Sequence, residues 1–201
     1  MKEYTSEDKV YSFEDIDLSG TYTYADYLRW EFNERLELIR GKVFRMSPGP
    51  ATLHQRVLLE LSYQMHHFLR RKSCEVFVAP FDVRLPLNSF EDKEIYTVVQ
   101  PDLCVICDKS KLDVRGCIGA PEIVVEILSP GNSRKELKNK FEVYEEAGVL
   151  EYWILHPEEK TFFRYILDKG RFQPTKLLTL GDEVSSSVLP GFKLRLDEVF
   201  R

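Results

Sequence analysis

Pro121-Glu122-Ile123-Val124-Val125-Glu126-Ile127-Leu128-Ser129-Pro130 sets a carboxylate, Glu126, inside an otherwise apolar run. A short run rich in β-branched residues and closed by Ser-Pro-Gly predicts a buried strand. An ionised side chain in such a strand needs a partner or a metal. A second acid, Asp102, stands after Pro101 at the head of another apolar run, Leu103-Cys104-Val105-Ile106. Two carboxylates brought together on a sheet repel and raise each other's pKa unless a cation lies between them. The pair therefore points to a divalent-metal site.

The 201 residues are 43% hydrophobic and 30% charged, ordinary values for a globular chain with a sizeable core. We expect a loose N-terminal arm over residues 1–21 and one domain over 22–201. The formal net charge of −5 argues against coating nucleic acid by bulk electrostatics, though local phosphate contacts stay open. The start of the chain has no apolar segment of signal-peptide length, and no later run could span a bilayer, so a cytoplasmic protein with no membrane partner is expected. The four cysteines, Cys74, Cys104, Cys107 and Cys117, are expected as free thiols in that compartment. Cys104 and Cys107 match C-x-x-C, but residues three apart on a strand face opposite ways, which favours apolar packing over structural zinc.

Outward from the opening stretch, Thr23-Tyr24-Ala25-Asp26 reads as a capping box starting a helix to about residue 31. Leu36-Glu37-Leu38-Ile39, Arg40-Gly41 and Lys42-Val43-Phe44-Arg45-Met46 form a hairpin pattern. Val57, Leu58, Leu61, Met65, Phe68 and Leu69 recur at helical spacing over residues 52–71. Strands are expected over 75–85, 98–106 and 123–128. Ser133 to Glu136 is a second capping box, opening a helix to about Ala147 before Gly148. Strands follow at 151–155 and 161–165, and a last helical turn at 196–200.

In this order, Leu36-Glu37-Leu38-Ile39-Arg40-Gly41-Lys42, His54, Gln100-Pro101-Asp102-Leu103, Val125-Glu126-Ile127-Leu128-Ser129-Pro130 and Lys140-Phe141-Glu142-Val143-Tyr144 resemble the PD-(D/E)XK nuclease superfamily. The resemblance is closer still to the endonuclease family called Uma-two-like. Gly148-Val149-Leu150-Glu151-Tyr152-Trp153 and Leu189-Pro190-Gly191-Phe192 extend it over about residues 22–200. It implies a restriction-endonuclease-like domain, a mixed central sheet flanked by helices. It also implies Mg²⁺-dependent hydrolysis of a nucleic-acid phosphodiester, DNA by preference, with Mn²⁺ as a substitute metal and a homodimeric assembly.

The same resemblance assigns Glu37, Asp102 and Glu126 as catalytic metal ligands and Lys140 as the catalytic lysine. The superfamily lysine lies two residues past the second acid, a place held here by Leu128, and Lys140 on the following helix takes its role. His54, Ser129 and Glu136 are candidate accessory residues. Counting helix faces from Ser133 puts Lys140 with Val143 and Tyr144 on the sheet side and Lys138 in solvent. On this count Lys140→Ala is expected to remove catalysis and spare folding.

Each residue read alone keeps a plainer alternative. Glu37 could pair with Arg40 or Lys42, Asp102 could brace a turn, and Glu126 could form a buried salt bridge with Lys140. A non-catalytic binding or regulatory module on a degenerate nuclease fold is the alternative function. A two-carboxylate glycosidase is a weaker reading, since it gives Lys140 no role.

Overall fold

The computed structural model describes residues 9–46, 51–129 and 134–201, with the side chains of residues 134–136 outside that description. The chain is an α/β structure with large mixed sheets flanked by helices. A short helix α1 (Tyr24–Tyr27) opens with Thr23 and Asp26 in a reciprocal capping box, and ends four residues before the expected point. The hairpin of β1 (Leu36–Ile39) and β2 (Lys42–Arg45) turns on Arg40 and Gly41, both at positive φ. That two-residue geometry matches strand twist and favours glycine. A Cβ on Gly41 would also meet the Thr21 methyl at 2.5 Å.

After α2 (Thr52–Leu69) come β3 (Glu75–Val78), β4 (Val83–Arg84), β5 (Val98–Val99), β6 (Leu103–Ile106), β7 (Leu112–Asp113), β8 (Gly116–Ile118) and β9 (Ile123–Ile127). Helix α3 (Arg134–Ala147) leads to β10 (Glu151–His156), β11 (Thr161–Asp168) and β12 (Arg171–Pro174). A small pair, β13 (Glu183–Ser185) and β14 (Lys193–Arg195), and helix α4 (Leu196–Val199) complete the order. The strands expected over 75–85 and 98–106 are each two strands. Pro80 and Pro101 interrupt them, because proline has no N–H for a ladder.

One six-stranded sheet runs β2-β1-β5-β4-β8-β7 and the other β12-β11-β10-β9-β6-β3. In the second, β9 and β10 are parallel and the other pairs antiparallel. Helix α2 covers one face: Val57, Leu61, Met65 and Leu69 pack with Ile123, Val125 and Ile127. Helix α3 covers the other, with Val143 and Tyr144 packed against Val124, Cys104 and Ile106. Both faces of β9 are therefore buried, and strand alternation assigns Glu126 to the α3 side with Val124.

The cysteine expectation needs correction. Cys74 and Cys107 form a disulfide, while Cys104 and Cys117 are free and buried. The β3–β6 register pairs Glu75 with Ile106, so continuing it one step sets Cys74 opposite Cys107. Nothing local in the sequence announces a pairing made across a non-sequential ladder. Among the described residues, no helix is long and apolar enough to cross a membrane.

Candidate active site

The segment Gln100-Pro101-Asp102 carries the chain from β5 in one sheet to β6 in the other, so it brings acids from both sheets together. On β1, Glu37 shares a face with Ile39, which packs into the core beneath α3. Glu37 Oε1 accepts the Gln100 backbone N–H at 2.8 Å and lies 2.9 Å from Lys140 Nζ. The same ammonium is 3.0 Å from Glu126 Oε1, which also accepts the Tyr144 hydroxyl at 2.7 Å. Glu37, Glu126 and Lys140 are all buried, at 1%, 8% and 3% exposure. Glu37 thus meets Lys140 and neither hairpin cation. Arg40 instead holds Glu142 and Glu146, and Lys42 donates to the Ser19 and Gly20 carbonyls.

Those Arg40 contacts fasten α3 to the hairpin and keep Lys140 over Glu37. Lys138 points outward with 76% of its side chain exposed and lies 3.8 Å from Glu142. Tyr144, one turn past Lys140, is a site contact that sequence reading left as an apolar-face neighbour. The i, i+4 spacing on a sheet-facing helix was the available signal.

Asp102 lies opposite Glu126, since the β6–β9 register pairs Leu103 with Val125. Its Oδ2 accepts the Ile127 N–H at 2.7 Å, and its Oδ1 is 3.2 Å from His54 Nε2. His54 is buried in the first turn of α2, and its Nδ1 has no partner among the described residues. Asp102 is the more open acid, with a side chain 20% exposed against 10% for Glu126 and 2% for Glu37. Ser129 lies half-buried just beyond β9. Glu136, and the capping box it would form with Ser133, lie outside the described residues.

The electrostatics follow from one ammonium serving two carboxylates beside a third. Burial, reinforced by Asp102 and Glu37 and opposed by Lys140, pushes the Glu126 carboxyl up to about 8. Burial disfavours the Lys140 charge, but Glu126 and Glu37 outweigh it and hold the ammonium well above its ordinary range. Burial, with Glu126 and Glu37 nearby, raises the Tyr144 hydroxyl, which stays a donor. The site keeps an excess of negative charge that a divalent cation could neutralise.

Asp102 and Glu126 are hard oxygen donors at opposed positions, the kind Mg²⁺ takes when water and phosphate supply its other ligands. Glu37 spends its Oε1 on Lys140 and Gln100. Among the described residues, no group of three or more His, Cys, Asp or Glu side chains is placed to hold a metal.

Comparison with known proteins agrees with this architecture. A crystal structure described as a "putative nuclease belonging to DUF820", from Anabaena variabilis, superposes with a TM-score of 0.68 at 19% identity. That likeness covers 89% of this chain and 97% of the other, and shows that the two share a fold. The uncharacterized protein slr1290 of Synechocystis sp. is 27% identical over 132 residues, and the match spans 65% of each chain. The family model described as "Putative restriction endonuclease" matches residues 24–197, and the chain belongs to that family, Uma2.

Proposed function

We propose that this protein is a Mg²⁺-dependent endonuclease that hydrolyses phosphodiester bonds of nucleic acid, DNA by preference. The observation that carries the reading is a buried lysine shared by Glu37 and Glu126, with Asp102 opposed to Glu126 on the next strand. Asp102 and Glu126 would hold the metal, with Mn²⁺ able to replace Mg²⁺, and Glu37 would position the lysine. The chemistry a divalent ion would supply between these two acids is polarisation of a phosphoryl oxygen and acidification of a water.

The side chains divide the remaining work. Glu37 keeps Lys140 charged and aimed, so its ammonium can offset negative charge building on the phosphoryl group. Tyr144 and Lys140 together occupy Glu126 Oε1, and among the described residues no hydrogen bond takes Oε2, which would be left for a ligand. The Ile127 N–H and His54 fix the Asp102 carboxylate from two sides.

The test is a cleavage screen over duplex DNA, single-stranded DNA and RNA with Mg²⁺ or Mn²⁺, using wild type and Asp102→Asn. Metal-dependent cleavage that the substitution abolishes supports the reading. Binding without cleavage in every arm would favour a binding module on a retired nuclease fold, and neither binding nor cleavage would overturn both. Sedimentation at several concentrations tests the homodimer that belongs to the same proposal.

A further inference from the structure

Arg35 precedes β1 and shares a strand face with Glu37, two residues on. It is exposed, yet its guanidinium is not loose: Nε and one terminal nitrogen both donate to Gln100 Oε1, at 3.2 and 2.7 Å. The Gln100 amide is itself oriented from its far end. Its Nε2 donates to Asp82 Oδ1 at 2.8 Å and reaches the Tyr27 hydroxyl at 3.3 Å, so its oxygen must face Arg35. The backbone N–H of that same glutamine binds Glu37, and Asp102 follows two residues later. One buried residue thereby couples the Arg35 guanidinium to both halves of the acid cluster.

A guanidinium has five N–H donors, and Gln100 accepts two of them. No carboxylate lies within ion-pair distance of Arg35 among the described residues, whereas neighbouring Arg45 faces Glu34. Holding an exposed cation by a neutral amide leaves its charge and its remaining donors unspent among the described residues. In an acidic protein, such a fixed fork beside a carboxylate cluster suits a phosphate, which accepts paired N–H bonds.

We propose that Arg35 is a substrate-binding residue that grips a backbone phosphate of the nucleic acid, oriented for that purpose by Gln100. This rests on the nuclease reading above and adds to it the contact that registers the strand against the acids.

The experiment measures anisotropy of labelled duplex DNA, single-stranded DNA and RNA of equal length, in Ca²⁺ over a salt series, with single-turnover cleavage in Mg²⁺. It compares wild type, Arg35→Gln, Arg35→Lys and Lys193→Gln. Lys193 is an exposed cation on β14 paired with Glu183, and it controls for bulk charge. Arg35→Gln should weaken binding roughly ten-fold or more and lower the slope of log affinity against log salt by about one. Arg35→Lys should restore the slope but only part of the affinity, and Lys193→Gln should change neither. Single-turnover cleavage at saturating enzyme should fall far less than affinity. If wild type binds and cleaves while Arg35→Gln leaves affinity and slope unchanged, or Lys193→Gln matches it, the Arg35 contact is wrong and the nuclease reading stands. If wild type neither binds nor cleaves any of the three, the nuclease reading fails and takes this contact with it.

Discussion

Glu126 and Glu151 are buried acids on neighbouring parallel strands, β9 and β10, but they face opposite sides of one sheet and keep opposite kinds of company. Glu151, on the α2 side with Trp153, accepts the indole N–H at 2.8 Å. It also accepts the Ser187 N–H at 2.6 Å and the Ser187 hydroxyl at 2.5 Å. Neutral donors fill both of its oxygens, and it clamps the turn before β14. Glu126, on the α3 side, shares one ammonium with Glu37 and lies opposite Asp102. A buried carboxylate alone does not mark a site. Acids that outnumber their cation do, because the excess charge has to be met by a proton or by a cation from outside.

The contrast is open to attack, first at Lys140. Its removal leaves Glu37 and Glu126 facing each other without compensation, so Lys140→Ala should lose about 3–5 kcal/mol in urea unfolding. Single-turnover cleavage should drop by about 10²–10³-fold in the same variant. The sequence expectation that folding would be spared is revised, because the ammonium is buried rather than at a cleft wall. A variant as stable as wild type would mean that the lysine compensates nothing.

Glu151→Gln sharpens the other side. The amide still accepts from Ser187 but turns a donor toward the Trp153 indole, and about 1–2 kcal/mol should be lost. Any rise in melting temperature on adding Mn²⁺ should match wild type. Loss of that rise would place Glu151 in the working site and remove the distinction.

Glu126→Gln should leave stability within about 1 kcal/mol of wild type near neutral pH, since the carboxyl it replaces is then held largely in its neutral form by burial and the neighbouring acids. The folded carboxyl titrates near 8, above its unfolded value, so the unfolded chain releases that proton first. The stability it contributes is full below the unfolded pKa and is lost as pH rises through about 8. Melting curves across that window should decline in wild type and flatten in the variant. Metal must displace the same proton, so wild-type Mn²⁺ affinity by calorimetry should climb with pH up to about 8, and the variant should lose the metal-induced stabilisation. A flat wild-type profile would show that Glu126 is already ionised.

Lys138→Ala is the smallest expected change. Exposed and only 3.8 Å from Glu142, Lys138 should contribute no more than about 0.5 kcal/mol, read by the same melting curves. An effect approaching that of Lys140→Ala would mean that the two faces of α3 are not distinct.

Local pattern determined a good deal by itself. The apolar spacing of Val57, Leu61, Met65 and Leu69 specified α2 and its buried face, and Arg40-Gly41 specified the hairpin. The run at 123–128 specified a buried strand, and helix counting put Lys140 on the sheet side and Lys138 in solvent. These features repeat within a few residues, so their physics is contained in a short window. Tertiary structure alone decided which distant groups meet. It broke the expected strand 98–106 between two sheets and used that crossing to set Gln100 against Glu37, 63 residues away. It satisfied Glu151 from Ser187, and it paired Cys74 with Cys107 through a ladder between strands that are not consecutive. It also placed His54 beside Asp102 and fixed Arg35 on the Gln100 amide. Such contacts depend on sheet order and register, which no short stretch of sequence encodes, because each is set by the packing of every layer at once.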